Sequence, residues 1–445
     1  MILPELFVER TKFLLGEEYP DFEEALGSLS PVSVRVNDKI DGYDPSDEKV
    51  PWCDSGFYLA ERPLFTADPL FHAGVYYVQE ASSMFLKQVV DVFLKDAEKV
   101  LDLCAAPGGK STLLLQYLPD DALLVSNEFV RSRAMILAEN IIKWGHPNVV
   151  VTNHAPETFG VMSAFFDAVV VDAPCSGEGM FRKDAGAISE WSMQNVQQCA
   201  IRQKSILHHV WDGLKDGGIL VYSTCTYNKE ENEENVAWVC RELGASCLKM
   251  DISHFEGIVE SAYGYRFYPH KIKGEGFFIS ILKKNASTNY VKSGKSKKNK
   301  QIEKYTDRSG DFRHQILHPG DFEIKEINRQ IIAFPTKHLT DCLELNAKLN
   351  CLVNGVMLAE LKGKDAVSAH QLALSKIMNR TAFECVEVDY KTAVAYLKRE
   401  SIVLPEVNQG YVLICYKQQA LGWVKNLGNR SNNLYPQHWR IRMHL

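Results

Sequence analysis

The sequence predicts a doubly wound α/β fold with a mostly parallel sheet, flanked by smaller α+β parts. Three observations point to it. Between residues 96 and 284, short apolar strands alternate with amphipathic helical stretches, the signature of βαβ units. The first of these strands runs straight into a glycine-containing loop that opens a helix. The chemically notable residues then fall just past strand ends, where sheets of this kind bind ligands.

Taken in order, Lys99 to Cys104 is a short apolar strand, and a helix begins near Ser111. Ala122 to Asn127 is a second strand. Ser132 to Trp144 is a helix, because Ala134, Leu137, Ala138, Ile141 and Ile142 recur at helical spacing, and Gly145 suits its C-terminal cap. Val149–Val151 and Ala168–Val171 are buried strands. Asn195 to Leu214 is a helix with Val196, Cys199, Ala200, Leu207, Val210, Trp211 and Leu214 on one face. Gly218 to Tyr222 is a strand and Lys229 to Leu243 a helix. The acidic start of that helix, Lys229 to Asn235, reads as a solvated face that complements the helix dipole.

A chain of 445 residues exceeds one ordinary core. Composition divides it into a mixed region (1–95), the α/β region (96–284), a lysine-rich linker (285–305) and a second folded portion (306–445). With 46% hydrophobic and 24% charged residues, the chain is a folded protein rather than a disordered one. It has no apolar run long enough for a membrane span and no export signal, so the expectation is a cytoplasmic protein with no membrane partner. A net charge of −6 excludes a globally basic nucleic-acid coat but not a local basic face. Eleven cysteines without a C-x-x-C pair argue against a disulfide framework and against structural zinc; no metal is expected. A monomer is the default.

The loop Cys104, Ala105, Ala106, Pro107, Gly108, Gly109, Lys110 lets backbone approach a ligand closely at its two glycines. It is neither G-x-G-x-x-G nor a P-loop, because the first glycine of the latter is missing. Glu128 ends the second strand 20 residues after Gly108, a place suited to the hydroxyls of a bound ribose. That pairing fits NAD or S-adenosylmethionine. A tight strand–helix turn and a helix-capping carboxylate are the plain structural alternatives.

Val169 to Gly177 (V-V-V-D-A-P-C-S-G) puts Asp172 and Cys175 just past one strand, and Tyr222 to Tyr227 (Y-S-T-C-T-Y) puts Cys225 just past another. Isolated cysteines are usually inert and buried. Two at strand ends beside a nucleoside-type loop suggest chemistry. A thiolate adds well to an electron-poor double bond. Addition at carbon 6 of a pyrimidine makes carbon 5 nucleophilic enough to take a methyl group from a sulfonium.

These motifs together, V-L-D-L-C-A-A-P-G-G-K, V-D-A-P-C-S-G-E-G and Y-S-T-C-T-Y, closely resemble the Nop/Sun-type RNA cytosine-5 methyltransferases. Val32 to Asn37 (V-S-V-R-V-N) is similar to the R-x-N segment of that family. Arg266 to His270 with Gly274 to Phe278 is similar to its last block. The resemblance covers about residues 1–284. It implies a Rossmann-like methyltransferase domain with an N-terminal α+β RNA-binding region, and S-adenosylmethionine as the methyl donor. It also implies Cys225 as the nucleophile, Cys175 as the group assisting proton loss and product release, and Asp172 on the cytosine edge. Lys110 would face the same cavity. Cofactor contacts would come from residues 104–110, Glu128 and Asp172. Arg133 would touch the cofactor or its carboxylate partners, with a plain surface arginine as the alternative. Asn153 would lie near the adenine, although the T-N-H-A-P that contains it departs from the usual pattern.

Residues 291–304 carry six lysines and one glutamate, read either as a solvated spacer or as phosphate contacts. Residues 386–445 carry a net charge of +4, with Trp423 and Trp439 either stacking on unpaired bases or simply core. This tail resembles the PUA-like β-barrel that ends a bacterial 16S ribosomal RNA methyltransferase F-like subfamily, and Gly177 to Asp184 (G-E-G-M-F-R-K-D) fits that subfamily too. Residues 306–385 resemble the intermediate α+β region of that subfamily, ahead of the PUA-like part at 386–445. The resemblance implies 16S ribosomal RNA, or the small ribosomal subunit, as partner. Transfer RNA is the alternative substrate. A ribosome-assembly factor with a vestigial catalytic domain, and an NAD-dependent dehydrogenase, are readings from other classes.

Overall fold

A computed structural model describes residues 2–40, 43–46, 48–286, 306–363, 365–404 and 407–443. The lysine-rich stretch 291–304 lies outside them. At the centre is a twisted sheet in the order Val259–Ser261, Gly264–Phe267, Phe277–Lys284, Leu214–Thr224, Phe166–Asp172, Lys99–Asp102, Leu123–Asn127, Val149–Thr152 and Cys351–Asn354. The five strands from Leu214–Thr224 to Val149–Thr152 are parallel, and each is apolar because helices cover both faces. Strand order reverses at Lys99–Asp102, and the crevice beyond its carboxyl end is the position where doubly wound sheets bind ligands.

The helices obey their apolar spacing. Arg131–Trp144 buries Ala134, Leu137, Ala138 and Ile141, and ends on Gly145 in the left-handed conformation. Met193–Val210 buries Val196, Cys199, Ala200, Leu207 and Val210, and starts where the Ser192 side chain accepts the Asn195 amide. The strand read over Gly218 to Tyr222 is longer, Leu214–Thr224. The last helix of this part is shorter than its sequence pattern, Glu233–Glu242.

Before the central sheet come two helices, Glu5–Leu15 and Tyr19–Gly27, and a four-stranded sheet built from Lys49–Val50, Cys53–Leu59, Val32–Val36 and Tyr76–Val78. Arg35 and Asn37 are buried where this sheet meets the central domain. The Arg35 guanidinium donates to Gln79 at 2.8 Å, to Gln116 and to the Thr112 hydroxyl at 2.5 Å, and sits 4.4 Å from the Trp144 ring centre. Burial without a carboxylate partner pulls its pKa down to about 10. Asn37 donates to the carbonyls of Gly74 and Trp144, at 2.9 and 3.0 Å. Both residues thus serve the joint between domains.

After the lysine-rich stretch the chain builds an antiparallel sheet from Thr306–Asp307, Phe322–Ile327, Gln330–Pro335, Val356–Lys362 and Asp365–Ser368. From within this part, Cys351–Asn354 leaves to pair antiparallel with Val149–Thr152 and covers the edge of the central sheet. The C-terminal part is a four-stranded sheet, Glu384–Glu387, Gly410–Tyr416, Gln419–Asn426 and Ser431–Asn433, with the helix Tyr390–Leu397 against it. It shares one apolar core with the N-terminal sheet: Val34, Leu70 and Tyr76 pack with Tyr396, Tyr435 and Trp439. The two tryptophans that the sequence left open between base stacking and core are both core. Trp423 is fully buried and donates to the Ala369 carbonyl at 2.9 Å, and Trp439 packs against His370 with ring centres 5.1 Å apart.

Arg35→Met should leave the Gln79, Gln116 and Thr112 oxygens without their donor. The expected loss is about 3 kcal/mol of unfolding free energy, read from the urea midpoint at unchanged slope.

Candidate active site

The loop after Lys99–Asp102 is held from below and from the side. Asp102 is wholly buried and accepts the Ser111 hydroxyl at 2.6 Å, while its second oxygen has no hydrogen-bond partner among the described residues. Burial pushes its pKa up to about 7. The Ala105 amide donates to the Asn127 carbonyl at 2.8 Å. Arg133 donates to the Ala106 carbonyl and Asn140 to the Pro107 carbonyl, both at 2.9 Å. Gly108 then takes φ +117°, where a side chain is strained, and a Cβ there would also crowd Leu137 at 3.3 Å. Lys110 enters the helix Gly109–Tyr117 and points back to Asp172.

Glu128 is buried; it accepts the Val130 amide at 2.8 Å and pairs with Arg133 at 3.4 Å. It therefore caps the turn and still lines the cavity in front of the loop. Asn153 spends its amide on the carbonyls of Glu128 and Phe129, at 2.7 and 2.8 Å, which steadies the turn. The joint between three strand ends belongs to Asn127, a residue the sequence did not single out. It donates to the carbonyls of Leu103 and His154 and accepts from the Thr152 hydroxyl and the His154 amide.

Two neighbouring parallel strands bring the cysteines together. Phe166–Asp172 and Leu214–Thr224 pair with Asp172 opposite Ser223, so the loops after them leave side by side. The Cys175 and Cys225 sulfurs are 3.0 Å apart, and the Cys225 amide points at the Cys175 sulfur from 3.4 Å. That sulfur–sulfur hydrogen bond, with burial, pushes the Cys175 thiol well up. Asp172 accepts the Ser223 hydroxyl at 2.7 Å and pairs with Lys110 at 2.8 Å. Burial works against the Lys110 charge, but Asp172 outweighs it and lifts the Lys110 pKa. Burial also pushes up the Cys104 thiol.

A cavity of 870 Å³ runs from Cys104, Ala106, Glu128 and Arg133 to Asp172, Cys175 and Cys225. Its far wall is the helix Met193–Val210, through Arg202, Ser205 and Ile206, which the sequence reading did not single out. Among the described residues, no group of three or more His, Cys, Asp or Glu side chains is placed to hold a metal ion, and no helix is long and apolar enough to cross a membrane.

The stretch Lys229 to Asn235 is not the solvated face its charges suggest. Glu231, Asn232 and Asn235 are buried, Glu230 pairs with Arg10 at 2.6 Å, and Glu233 pairs with Arg266. Glu231 accepts the Ser176 amide at 3.0 Å and the Gln203 amide at 2.7 Å, so it sits behind the cysteines. Glu178, also buried, accepts the Tyr227 and Asn228 amides at 2.8 and 2.9 Å. Charge alone hid Glu231, six residues after Cys225, whereas Glu178 stands in the V-D-A-P-C-S-G-E-G motif, which by itself gave it no role.

A doubly wound sheet with this loop, this acidic strand end and this crevice is the fold of a Rossmann-like methyltransferase. Residues 90–283 match the family described as 16S rRNA methyltransferase RsmB/F; residues 3–81 match the N-terminal domain of 16S rRNA methyltransferase RsmF, and residues 383–441 the methyltransferase RsmF PUA domain. Among curated proteins, the chain is 33% identical to the ribosomal RNA small subunit methyltransferase F of Vibrio cholerae, covering 87% of this chain and 84% of that one. It is 31% identical to the protein of the same description from Vibrio vulnificus, covering 98% and 97%. A solved methyltransferase homologue from Pyrococcus horikoshii aligns at 29% identity and TM-score 0.55, over 63% of this chain and 95% of that one. The structure described as NSun6 from Pyrococcus horikoshii with SFG shares the fold at 22% identity and TM-score 0.54, over 64% and 99%. The chain belongs to the RsmB/F methyltransferase family and is an RNA methyltransferase.

The raised Asp102 pKa gives a signed prediction. The folded state holds the Asp102 proton up to about pH 7, whereas the unfolded chain releases it near pH 4. The stability it contributes is therefore complete below about pH 4 and is lost as pH rises to about 7, by at most about 1.4 kcal/mol per unit. Asp102→Asn should remove this slope, so that wild type loses ground to the variant between about pH 4 and 7 in urea titrations.

Proposed function

We propose that this chain transfers a methyl group from S-adenosylmethionine to carbon 5 of a cytosine in 16S ribosomal RNA, through a covalent bond between Cys225 and carbon 6. The observation that carries this reading is the pair of sulfurs 3.0 Å apart on adjacent loops, in one cavity with Asp172 and with Cys104 and Ala106 of the glycine-bearing loop. A single thiol suffices for many enzymes; two in hydrogen-bond contact suit a reaction in which one sulfur bonds to the ring and must later leave it.

The cavity suits S-adenosylmethionine by the chemistry of its walls. Glu128, Glu157 and Asp172 line it. Such a wall favours a cationic sulfonium and ribose hydroxyls, and disfavours the pyrophosphate of NAD. Residues 104–110, Glu128, Arg133 and Asp172 would hold the donor, with Asn153 supporting the turn that carries Glu128. When bound, the donor supplies an electrophilic methyl group.

The chain's own groups do the rest. The Cys225 thiolate adds to carbon 6, and the electron pair displaced from the double bond makes carbon 5 nucleophilic. Asp172, kept in place by Ser223 and Lys110, holds the cytosine edge and steadies the charge that develops there. After carbon 5 is methylated, its remaining hydrogen leaves as a proton, the C–H pair restores the double bond, and the C–S pair returns to Cys225. The Cys175 sulfur stands beside that leaving sulfur. The substrate reading is supported by the likeness to small-subunit RNA methyltransferases over nearly the whole chain, including the N-terminal and PUA parts. Work on ribosomal RNA sets the protein in the cytoplasm.

Cys225→Ala should lower methyl transfer by at least about 10³-fold. Cys175→Ala should instead accumulate an RNA–protein adduct that survives denaturing electrophoresis. An adduct in the Cys225 variant and none in the Cys175 variant would reverse the two roles. The substrate is tested by bisulfite mapping of ribosomal and transfer RNA from cells with and without the protein: one or more 16S cytosines should lose protection in its absence, and loss confined to transfer RNA would overturn the assignment.

A further inference from the structure

The loops carrying the two cysteines are tied together by two buried carboxylates, each leaving one loop and ending in the other. Glu178, three residues after Cys175, accepts the Tyr227 amide, the Asn228 amide and the Thr226 hydroxyl at 2.8, 2.9 and 2.7 Å, all just past Cys225. Glu231, six residues after Cys225, returns to accept the Ser176 amide at 3.0 Å. Asn228 spans the pair, donating to Glu178 at 3.2 Å and to Glu231 at 2.7 Å. The Gly179 amide closes the arrangement on the Cys225 carbonyl at 2.9 Å.

Among the described residues, neither carboxylate has a cation partner; hydrogen bonds alone compensate their burial. Burying an unpaired charge is costly, and two such charges exceed what closing a turn requires. The underlying strands are already joined by their ladder, so the carboxylates act on the loops beyond it, where the sulfurs are. A carboxylate is the apt group because it only accepts: several donors converge on each, and an amide in its place would turn a donor toward a donor.

We propose that Glu178 and Glu231 are positioning residues for product release, holding the Cys175 sulfur against Cys225 so that it stays beside the covalent adduct. This rests on the roles assigned to the two cysteines above. In the free enzyme, the sulfur–sulfur hydrogen bond keeps the Cys175 proton in place. Once Cys225 is bonded to carbon 6 its sulfur carries no charge, and Cys175 can yield that proton to solvent. The resulting thiolate takes the proton from carbon 5. The C5–H pair becomes the C5–C6 double bond, the C6–S pair goes to Cys225, and the Cys175 thiol again faces a Cys225 thiolate. One proton is released per methyl transferred, which balances loss of the sulfonium charge. Cys175 must not drift while Cys225 is tethered to the RNA, and the crossed carboxylates prevent that drift.

The test uses the full chain with S-adenosylmethionine and 16S ribosomal RNA from cells lacking the protein. Glu178→Gln and Glu231→Gln are compared with wild type, alone and combined with Cys175→Ala. With Cys175 intact, each should accumulate denaturation-resistant adduct at least about fivefold above wild type and slow steady-state turnover about tenfold, while first-turnover methyl transfer stays within about twofold. In the Cys175→Ala background neither should add to the adduct, because the group they position is gone. Thr226→Val removes one donor without unpairing a charge, and serves where a glutamine variant does not fold; it should show the same shift in smaller measure. The proposal falls if folded variants turn over normally without adduct, if the first turnover slows as much as the steady state, or if the effects add to those of Cys175→Ala. Trapping by Cys175→Ala with none by the other variants overturns the positioning role alone. No trapping by Cys175→Ala itself overturns the cysteine assignment, and this proposal with it.

Discussion

The pairing of Phe166–Asp172 with Leu214–Thr224 is the constraint on which the site depends. These strands are far apart in sequence, but the parallel register sets Asp172 opposite Ser223 and releases two loops from the same sheet edge. A slip of one residue would turn every side chain of one strand to the opposite face, which both apolar strands forbid because each face is packed under helices. The register therefore sets where the two loops leave the sheet. The loop contacts then refine it: Ser223 on Asp172, Gly179 on the Cys225 carbonyl, and the crossed glutamates.

Electrostatics in the crevice has an unusual balance. Its cations are largely committed, Lys110 to Asp172 and Arg133 to Glu128 and the Ala106 carbonyl. Glu128, Glu157 and Asp172 line it, and behind the cysteines Glu178 and Glu231 are buried with no cation partner among the described residues. Carboxylates there favour a positively charged ligand over polyphosphate, and Glu231 adds to the hold on the Cys175 proton. Recognition of the RNA backbone must then be served by residues outside this crevice, since phosphates and these carboxylates repel one another.

The parts of the chain are interlocked. The N-terminal sheet is fastened to the central domain by Arg35 and Asn37, and to the C-terminal sheet by a common core containing Tyr76, Tyr435 and Trp439. Cys351–Asn354 is a strand of the central sheet although it lies some two hundred residues along the chain from its partner Val149–Thr152. At the same edge, the Asn350 amide meets the His154 ring at 2.6 Å, immediately beside the turn held by Asn153. The segment from Asn350 to Asn354 thus buttresses the same rim that carries Glu128.

The sequence by itself determined the alternating strands and helices, the glycine-bearing loop, the acidic strand end and the two cysteines, because each of these is written in local spacing: apolar periodicity, paired glycines at 108 and 109 after a strand, a thiol just past a run of valines. Local spacing does not report which charges are buried. Glu231 and Asn235, in the stretch read as solvent-facing, are interior, and Glu178 is buried as well, held by donors from segments distant in the sequence. Trp423 and Trp439 look the same in sequence whether they stack on a base or fill a core, and only the packing of Ala369 and His370 against them decided. The strand Cys351–Asn354 carries no mark of its partner, because an edge pairing is chosen by which backbone groups remain open once the rest of the sheet has formed.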